Sequence, residues 1–368
     1  MLHLHKETIR RMADYKRCTL RALPDIINPY AWVIKARNMA FDNGILETRV
    51  FKTPTICIGN ISVGGTGKTP HTEYLIRLLK DRFRTAMLSR GYGRKSKGYI
   101  KASASSPMQQ IGDEPFQIKN KFPDIDVAVC EKRVVGIERL MTEIPDIQVL
   151  LLDDAYQHRY VKAGLNILLI DSKRPVWNDN ILPFGRLRES ISGIRRADIA
   201  IMTKCNGMTE EEAERCRRHI TCIKDIPVFF STMRYGALYG IFGQECNVKI
   251  GEGTNVLLVT GIAKPGPLKA EIERRGARVT LMRYADHHNF TTAELEKIAS
   301  RFKTMGSAGS IIVTTEKDAT RLIQRNDLPP SIREKTFALP IEVEILHGKE
   351  NMFNQIIEDY VTENSGNS

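Results

Sequence analysis

Short apolar runs alternate with segments of helical periodicity along most of the chain beyond residue 50. Each run is rich in aliphatic residues and ends in polar residues or glycine. This alternation is typical of βαβ units, in which helices join parallel strands. Six runs precede residue 228: TPTICIGN (53–60), TAMLS (85–89), DVAVC (126–130), IQVLLLDD (147–154), LNILLIDS (165–172) and ADIAIMT (197–203). They predict a mostly parallel sheet whose ligands bind beyond the carboxyl ends of the strands.

A second series of runs follows a change in composition. The stretch PVFFSTMRYGALYGIF carries little charge and alternates like a hairpin, which favours a hinge over 229–253. The later runs are NVLLVTG (255–261), ARVTLMRY (277–284), SIIVTT (310–315) and IEVEIL (341–346). The pattern predicts an α/β protein with two domains. The larger would span 51–228, with helices on both faces of its sheet, and a second, smaller α/β domain would span 254–368.

The segment 1–50 differs from both domains. NPYAWVIKARNMAFDNG predicts a helix capped by Asn28, with Pro29 in its first position and Gly44 ending it. Its apolar face holds Trp32, Val33, Ala36, Met39 and Ala40. Either this face packs on the core, or the helix and the basic residues before it form an amphipathic membrane-associating segment. No apolar run reaches the ~18 residues that span a bilayer.

Charge narrows the range of partners. The 368 residues include 55 Lys and Arg against 43 Asp and Glu, a formal net charge of +12. This balance favours a polyanionic partner, which can be nucleic acid, an anionic membrane or a phosphorylated substrate. Seven cysteines without C-x-x-C spacing support neither a disulfide framework nor a zinc site. A reducing cytosol is the simplest compartment for them.

The stretch GNISVGGTGKTP follows an apolar run and precedes a helical segment, which is the context of a phosphate-binding loop (P-loop). The pattern G-x-x-x-x-G-K-[ST] would place glycine at position 62, where this chain has serine; serine costs little there if its backbone angles are ordinary. Lys68 would reach the β- and γ-phosphates, and the Thr69 hydroxyl would hold Mg²⁺. The predicted nucleotide-binding residues are Ser62, Val63, Gly64, Gly65, Thr66, Gly67, Lys68 and Thr69.

Two acids, Asp153 and Asp154, end the run IQVLLLDD. In P-loop enzymes an acid at the end of a neighbouring strand organises the metal ion; the plainer interpretation is a solvated strand end. A guanine-specific site would have N-K-x-D after a later strand, and TKCN (203–206) has no aspartate there. The sequence therefore favours a metal-assisted nucleotide site that is not a G-protein site.

The stretch SRGYGRKSKGYIK places Arg90 and Arg94 among glycines directly after a predicted strand. Most charge runs are solvated faces. Glycines beside cations also suit an anion clamp for a substrate phosphate or a lipid headgroup, and both interpretations stay open.

Two further motifs carry acids or imidazoles. GDEP gives Asp113 and Glu114 and predicts an exposed turn. Acids in turns are often structural, but a kinase needs a carboxylate or a similar base near the acceptor hydroxyl. YADHHNF gives Asp286, His287 and His288; adjacent histidines point in different directions, so one functional imidazole is favoured over a two-ligand metal site.

The motifs together resemble one family. SVGGTGKTP, SRGYGRKSKG, GDEP, LDDAYQHR, LPFGRLRE, DHHNF and TTEKDA stand in the order seen in the tetraacyldisaccharide 4′-kinases, from about residue 24 to about residue 345. The resemblance implies a P-loop NTPase-type kinase that moves the γ-phosphate of ATP to the 4′-hydroxyl of a tetraacylated glucosamine disaccharide 1-phosphate in lipid A biosynthesis, with Mg²⁺. It implies a peripheral enzyme on the cytoplasmic face of the bacterial inner membrane. Its partners would be that glycolipid and the anionic membrane surface, with no nucleic acid.

The resemblance also assigns roles to residues. Asp113 would act with His287 in activating the acceptor hydroxyl, and the acid pair after the fourth run would organise Mg²⁺. The expected catalytic residues are Asp113, His287, Lys68 and Asp154, the metal ligands are Thr69 and Asp153, and the substrate contacts are Arg90, Arg94 and Glu114.

Some features depart from the family or leave an alternative. The family commonly has glycine and phenylalanine where this chain has Ala155 and Tyr156, and alanine there needs a negative φ. The first eleven residues look additional, so translation would start either at Met1 or at Met12. The alternative function is a P-loop ATPase that uses hydrolysis as a switch in partner or metal-cofactor assembly, because a fold does not determine a function.

Overall fold

In a computed structural model, the described residues of the chain form two sheets. The structure describes residues 27–246, 248–286, 288–306, 309–325 and 327–365. The predictions made for residues 1–26 and for His287 therefore concern positions outside the described residues.

The first sheet is the larger one. Within the described ranges its strands are β1 Thr55–Gly59, β2 Thr85–Ser89, β3 Ile100–Lys101, β4 Asp126–Val129, β5 Val149–Asp153, β6 Leu165–Asp171, β7 Ile199–Thr203, β8 Val228–Tyr235 and β14 Ile341–Ile345. Their order across the sheet is β14-β8-β7-β6-β1-β5-β2-β4-β3. The strands from β8 to β4 are parallel, and both edge strands are antiparallel to their neighbours. The six runs before residue 228 are confirmed as strands.

Helices cover both faces of this sheet, as predicted. They are α1 Pro29–Asp42, α2 Lys68–Leu79, α3 Met108–Ile111, α4 Asp113–Lys121, α5 Arg133–Glu143, α6 Glu210–Thr221 and α11 Glu350–Ser365. The helices α2, α4 and α11 pack aliphatic and aromatic residues against one face of the sheet, and α5 and α6 pack theirs against the other face. Strands β1, β2, β5 and β7 are buried at every position, as expected for a parallel sheet between two helical layers.

The second sheet is smaller and also mostly parallel. Its strands are β9 Tyr239–Gly240, β10 Asn255–Thr260, β11 Arg278–Arg283, β12 Ser310–Thr314 and β13 Thr336–Ala338, in the order β11-β10-β12-β13-β9. The helices around it are α7 Gly266–Arg274, α8 Thr292–Thr304, α9 Glu316–Ile323 and α10 Pro330–Arg333. The predicted fold class, a mostly parallel α/β domain with a smaller α/β domain, is confirmed.

The structure differs from the predicted domain boundaries at both ends of the second domain. The run IEVEIL, assigned to 254–368, forms β14 and pairs with β8, with Ile341 opposite Tyr235. The predicted hinge 229–253 starts too early, because β8 belongs to the first sheet. Gly236 donates its N–H to Pro340 O at 3.0 Å, so the two connections between the sheets run side by side. An alternating pattern predicts an edge strand but not which sheet it joins.

Helix α1 has the predicted ends. The Asn28 side chain accepts hydrogen bonds from the N–H groups of Tyr30 and Ala31, and Pro29 occupies the first helical position. Gly44 follows the helix with a φ of 71°. Because asparagine and proline act through their immediate neighbours, this start could be read from the sequence.

The apolar face of α1 points outward. Trp32, Val33 and Met39 are 57%, 65% and 52% exposed, whereas the buried residues of the helix are Ala31 and Phe41. The helix packs on the core through Ala31, and the expectation that its apolar face does so is wrong. Among the described residues, no helix is both long enough and apolar enough to cross a bilayer.

We expect the Phe353→Ala substitution in α11 to destabilise the first domain by about 3–5 kcal/mol, since it removes a buried aromatic ring from the core. Phe353 is 2% exposed and its ring packs edge-on against Phe229, with centroids 5.1 Å apart. Urea denaturation measures the change. Met352→Ala is the matched control, because its side chain is exposed; equal losses in the two variants would contradict the placement of α11 on the first sheet.

Candidate active site

The P-loop connects β1 to α2. Asn60 is buried and its Nδ2 donates to Thr66 Oγ1 at 2.8 Å, which closes the loop. Gly67 has a φ of 89°, a conformation in which a side chain would be strained, and a Cβ there would also displace Met233 Cε, which lies 2.5 Å away. The loop therefore ends in the tight turn that directs backbone N–H groups toward a phosphate.

Serine at position 62 fits because the chain pairs there instead of turning. Ser62 forms an antiparallel bridge with Leu187, and Val63 N donates to Arg186 O at 2.7 Å. Among the described residues with positive φ, the non-glycine ones are Asp154, Lys204 and His347. Ser62 has none of the backbone strain that would require glycine. The segment 181–188, which contains all of LPFGRLRE but its last residue, thus holds one side of the P-loop.

The acid pair lies directly beside this loop. Asp154 Oδ1 is 3.6 Å from Lys68 Nζ and 3.2 Å from Arg188 Nη1. Asp154 has a φ of 46°, a left-handed conformation that aspartate tolerates better than most residues. This turn follows β5, and it directs the second acid of the pair toward the P-loop lysine.

Asp153 is buried at the end of β5. Its carboxylate accepts long hydrogen bonds from Thr72 Oγ1 at 3.3 Å and Ser89 Oγ at 3.4 Å. Burial, and then the negative charges of Glu114 and Asp154, raise the pKa of Asp153 to about 7. The site therefore concentrates negative charge at one point, and a cation there would relieve it.

The GDEP motif begins helix α4 and is not the exposed turn that was predicted. Gly112 has a φ of 92°, and a Cβ on it would lie 2.9 Å from Tyr92 O, so only glycine lets the two loops approach this closely. Asp113 and Glu114 occupy the first turn of α4. Acids in a first turn are stabilised by the helix dipole. Asp113 forms an ion pair with Arg321 of the second domain.

The two arginines of the basic loop have different environments. The Arg94 side chain is 2% exposed and donates to Glu131 Oε1 and to Gly98 O, each at 2.6 Å. Arg90 is exposed. Arg94 therefore holds the loop in shape, and this geometry favours Arg90 over Arg94 as a contact for the substrate.

The described part of the DHH motif includes a structural histidine. His288 Nε2 lies 2.9 Å from Glu294 Oε2, and its ring stacks on Tyr284 with centroids 5.0 Å apart. Glu294 also accepts from Thr291 N in the capping box of α8. His288 thus holds the loop to α8, and the functional imidazole predicted at His287 lies outside the described residues.

Comparison with known proteins settles the family. The family model described as tetraacyldisaccharide-1-P 4′-kinase matches residues 21–362. The chain is 47% identical over 351 residues to the tetraacyldisaccharide 4′-kinase of Bacteroides fragilis strain YCH46, covering 92% of this chain and 93% of that protein. It is 41% identical over 340 residues to the enzyme of that name from Flavobacterium johnsoniae, covering 91% and 95%.

The chain belongs to the tetraacyldisaccharide-1-P 4′-kinase family.

A solved structure of this family has the same fold. It is LpxK from Aquifex aeolicus in complex with ATP, with a TM-score of 0.73 and 29% identity, covering 93% of this chain and 99% of that one. The resemblance inferred from the motifs is confirmed.

Two residues that depart from the family's usual ones, Ala155 and Tyr156, cause no strain. Ala155 is not among the described residues with positive φ. The Tyr156 hydroxyl donates to Gly193 O at 2.9 Å.

Two residues that support the P-loop had no predicted role. His71 is buried, which lowers its pKa to about 4, so the neutral ring donates from Nδ1 to Gly67 O at 2.7 Å and accepts at Nε2 from Ser231 Oγ at 3.0 Å. Lys204 Nζ donates to Gly65 O at 2.5 Å and to Asp171 Oδ2 at 2.6 Å. Lys204 belongs to the TKCN stretch, which the sequence analysis considered. Its partner Asp171 ends a strand 33 residues earlier, so the sequence did not reveal the contact.

We expect Asp153→Asn to stabilise the ligand-free protein more at about pH 8 than at about pH 5. Because the pKa of Asp153 is raised to about 7 from an ordinary 3.8, the folded state holds a proton that the unfolded chain has lost. The stability this proton brings is complete below the ordinary pKa and disappears as the pH rises through about 7. Thermal unfolding at both pH values measures the difference.

The matched control is Asp124→Asn, which neutralises an exposed aspartate. Its effect on the melting temperature should be small and nearly the same at both pH values. If Asp153→Asn changed the melting temperature equally at both, the carboxylate would not have the predicted proton affinity.

Proposed function

We propose that this protein transfers the γ-phosphate of ATP to the 4′-hydroxyl of a tetraacylated glucosamine disaccharide 1-phosphate. It is a kinase of the tetraacyldisaccharide 4′-kinase family, which acts in lipid A biosynthesis. The observation that carries the proposal is the convergence of Lys68, the acid pair at 153–154 and the acids of GDEP at one edge of the first sheet. Family membership does not favour the alternative of a switch ATPase.

The P-loop would hold the nucleotide. Residues 62–69 would surround the phosphates with backbone N–H groups, as in other P-loop proteins. Lys68 is already held at the acid pair through Asp154, from where its ammonium group would neutralise charge on the transferring phosphoryl group. Positioning and charge neutralisation supply most of the rate enhancement in such reactions.

The residues at the end of β5 fit a magnesium ion. Asp153 is a buried carboxylate whose pKa is raised by burial and by other acids, so a divalent cation would relieve the repulsion. Mg²⁺ typically takes one or two carboxylates and completes its shell with phosphates and water. Among the described residues no three His, Cys, Asp or Glu side chains form a complete protein-only metal site. Asp153 and Thr69 would hold the ion, which supplies charge neutralisation at the phosphates.

Asp113 would accept the proton of the acceptor hydroxyl. It stands in the first turn of α4 next to Glu114, whose charge acts on Asp153, which supports a place for the start of α4 near the nucleotide site. A base must lie within hydrogen-bond reach of the proton that it takes. His287 would assist Asp113, a role that rests on the DHH motif, and Arg90 with Glu114 would contact the glycolipid.

The outward face of α1 would lie on the cytoplasmic face of the inner membrane. Trp32, Val33 and Met39 are exposed together, and Ile45 and Val50 after the helix are exposed as well. Apolar groups next to a basic chain suit an anionic bilayer surface. Moving the acyl chains of the substrate into water would cost ~0.8 kcal/mol per CH₂. A peripheral enzyme would instead reach the sugar headgroup at the interface.

Transfer of ³²P from labelled ATP to a tetraacyl disaccharide 1-phosphate in mixed micelles tests the reaction. We expect wild type to label the lipid and Asp113→Asn to lose about 10²–10⁴-fold in kcat with ATP binding nearly unchanged, because only the acceptor proton loses its base. Lys68→Ala should weaken both ATP binding and kcat. Asp124→Asn, at an exposed carboxylate, is the control and should keep wild-type activity.

Two outcomes would contradict parts of this proposal. Release of inorganic phosphate from ATP without any labelled lipid would exclude the lipid kinase activity and favour a switch ATPase. Full activity of Asp113→Asn would leave the reaction standing but remove Asp113 from the role of base.

Substitution of the exposed face of α1 tests the membrane contact. We expect Trp32→Glu combined with Val33→Glu to reduce binding to phosphatidylglycerol vesicles by about tenfold or more, because each large apolar side chain contributes roughly 1.5–3 kcal/mol on burial. Co-flotation with vesicles measures the binding. Met352→Glu places one such charge on an exposed methionine of α11 and should leave flotation unchanged. Equal flotation of all three proteins would refute the assignment of this face.

A further inference from the structure

Two helices from different domains lie antiparallel and are joined by ion pairs at both ends. At one end Asp113, the first residue of α4, pairs with Arg321 near the end of α9. At the other end Lys121, the last residue of α4, pairs with Glu316, the first residue of α9, at 2.5 Å. The two ends of α4 are about 12 Å apart at 1.5 Å per residue. The contact thus fixes both the direction and the register of α9 against α4.

The Arg321 side chain is buried where it pairs with Asp113. This side chain is only 5% exposed, whereas the Asp113 side chain is 28% exposed. The Arg321 Nη1 group also donates to Lys317 O at 3.2 Å, which holds the guanidinium against its own helix. A buried arginine is stable only when its charge is paired. The second domain therefore brings the fixed positive charge of Arg321 to the Asp113 carboxylate.

The register of α9 is set independently at Lys121. This lysine also pairs with Glu73 at 2.6 Å, and Glu73 lies on α2, the helix that begins with the P-loop lysine. Glu316 in turn accepts from the Tyr239 hydroxyl at 3.2 Å and from Ile341 N at 3.3 Å. The ammonium group of Lys121 thus connects α2, α4 and the second domain. It keeps α9 in the register that places Arg321 beside Asp113.

We propose that Arg321 is a positioning residue for phosphoryl transfer, which holds the Asp113 carboxylate in the orientation that receives the acceptor proton. The second domain then completes the acceptor site instead of only covering it. This inference rests on the proposed role of Asp113 as the base. An aspartate at the start of a helix can turn about two side-chain bonds, and a charge-assisted bond to a guanidinium restricts it to one arrangement.

Two other roles for Arg321 would give different kinetic results. If the ion pair withheld Asp113 from the substrate, removing Arg321 would raise the turnover number. If Arg321 only joined the two domains, its removal would lower the melting temperature and leave the kinetic constants of the remaining folded enzyme unchanged. The three roles therefore differ in kcat and not only in stability.

Steady-state kinetics of the full-length enzyme in mixed micelles distinguish the three roles of Arg321. We expect Arg321→Met to lower kcat by about 10- to 100-fold with the KM for ATP within about twofold of wild type, since misplacing a reacting group by ~1 Å costs up to 10²-fold. Arg321→Lys keeps the charge without the fork of the guanidinium, so its kcat should lie between wild type and Arg321→Met. Lys297→Met removes an exposed charge from α8 and should match wild type.

The double variant Asp113→Asn with Arg321→Met completes the experiment. Because Arg321 acts through Asp113, the double variant should be no slower than Asp113→Asn alone. Further loss in the double variant, or a wild-type or raised kcat in Arg321→Met, would overturn the inference. If Arg321→Met fails to fold, Arg321→Lys decides: a several-fold lower kcat supports the positioning role, and a wild-type kcat overturns it.

The controls separate this inference from the proposed function. If Asp113→Asn keeps wild-type turnover, the base assignment fails and the positioning role of Arg321 fails with it. If Asp113→Asn is inactive while Arg321→Met is as active as wild type, only the positioning role fails. Loss of activity in Lys297→Met as well would trace the effect to the total charge of the second domain and would also overturn the inference.

Discussion

The negative charge gathered at the carboxyl edge of the first sheet is the constraint on which the rest of the site depends. Asp153 lies at the end of a central strand, and its burial, followed by the charges of Glu114 and Asp154, raises its pKa. Uncompensated carboxylates in a region of low dielectric constant are costly. Lys68 and Arg188 lie against Asp154 and offset part of this charge. The arrangement suits a ligand that brings phosphates together with a cation, which is the form in which a kinase binds its nucleotide.

One segment connects this charged site to the outward-facing helix. Leu182 O accepts from Asn28 Nδ2 at 2.7 Å, so the segment 181–188 contacts the start of α1. On its other side Arg188 N donates to Ile61 O at 2.8 Å, beside the P-loop. The apolar face of α1 is left exposed because the capped end and the polar side of the helix make these contacts. The nucleotide loop and the proposed membrane surface are therefore neighbours through a single stretch of chain.

The two domains are linked by more than the chain that connects them. The sequence leaves the first sheet after β8, builds the second sheet, and returns as β14 and α11 to complete the first core. Residues of the second domain approach GDEP through α9, with one ion pair near each end of α4. This polar contact ties the second domain to the acids of α4 without merging the two cores.

The sequence by itself determined what depends on neighbours along the chain. The ten predicted runs, the Asn28 and Pro29 start of α1, the P-loop and the family follow from local patterns, since strand burial, helix caps and phosphate turns involve residues a few positions apart. Only the tertiary structure decided which sheet received β14, which way the apolar face of α1 points, and which cations meet Asp113 and Asp154. These depend on pairings between residues tens to hundreds of positions apart, such as Asp113 with Arg321, and nothing in the local pattern encodes them.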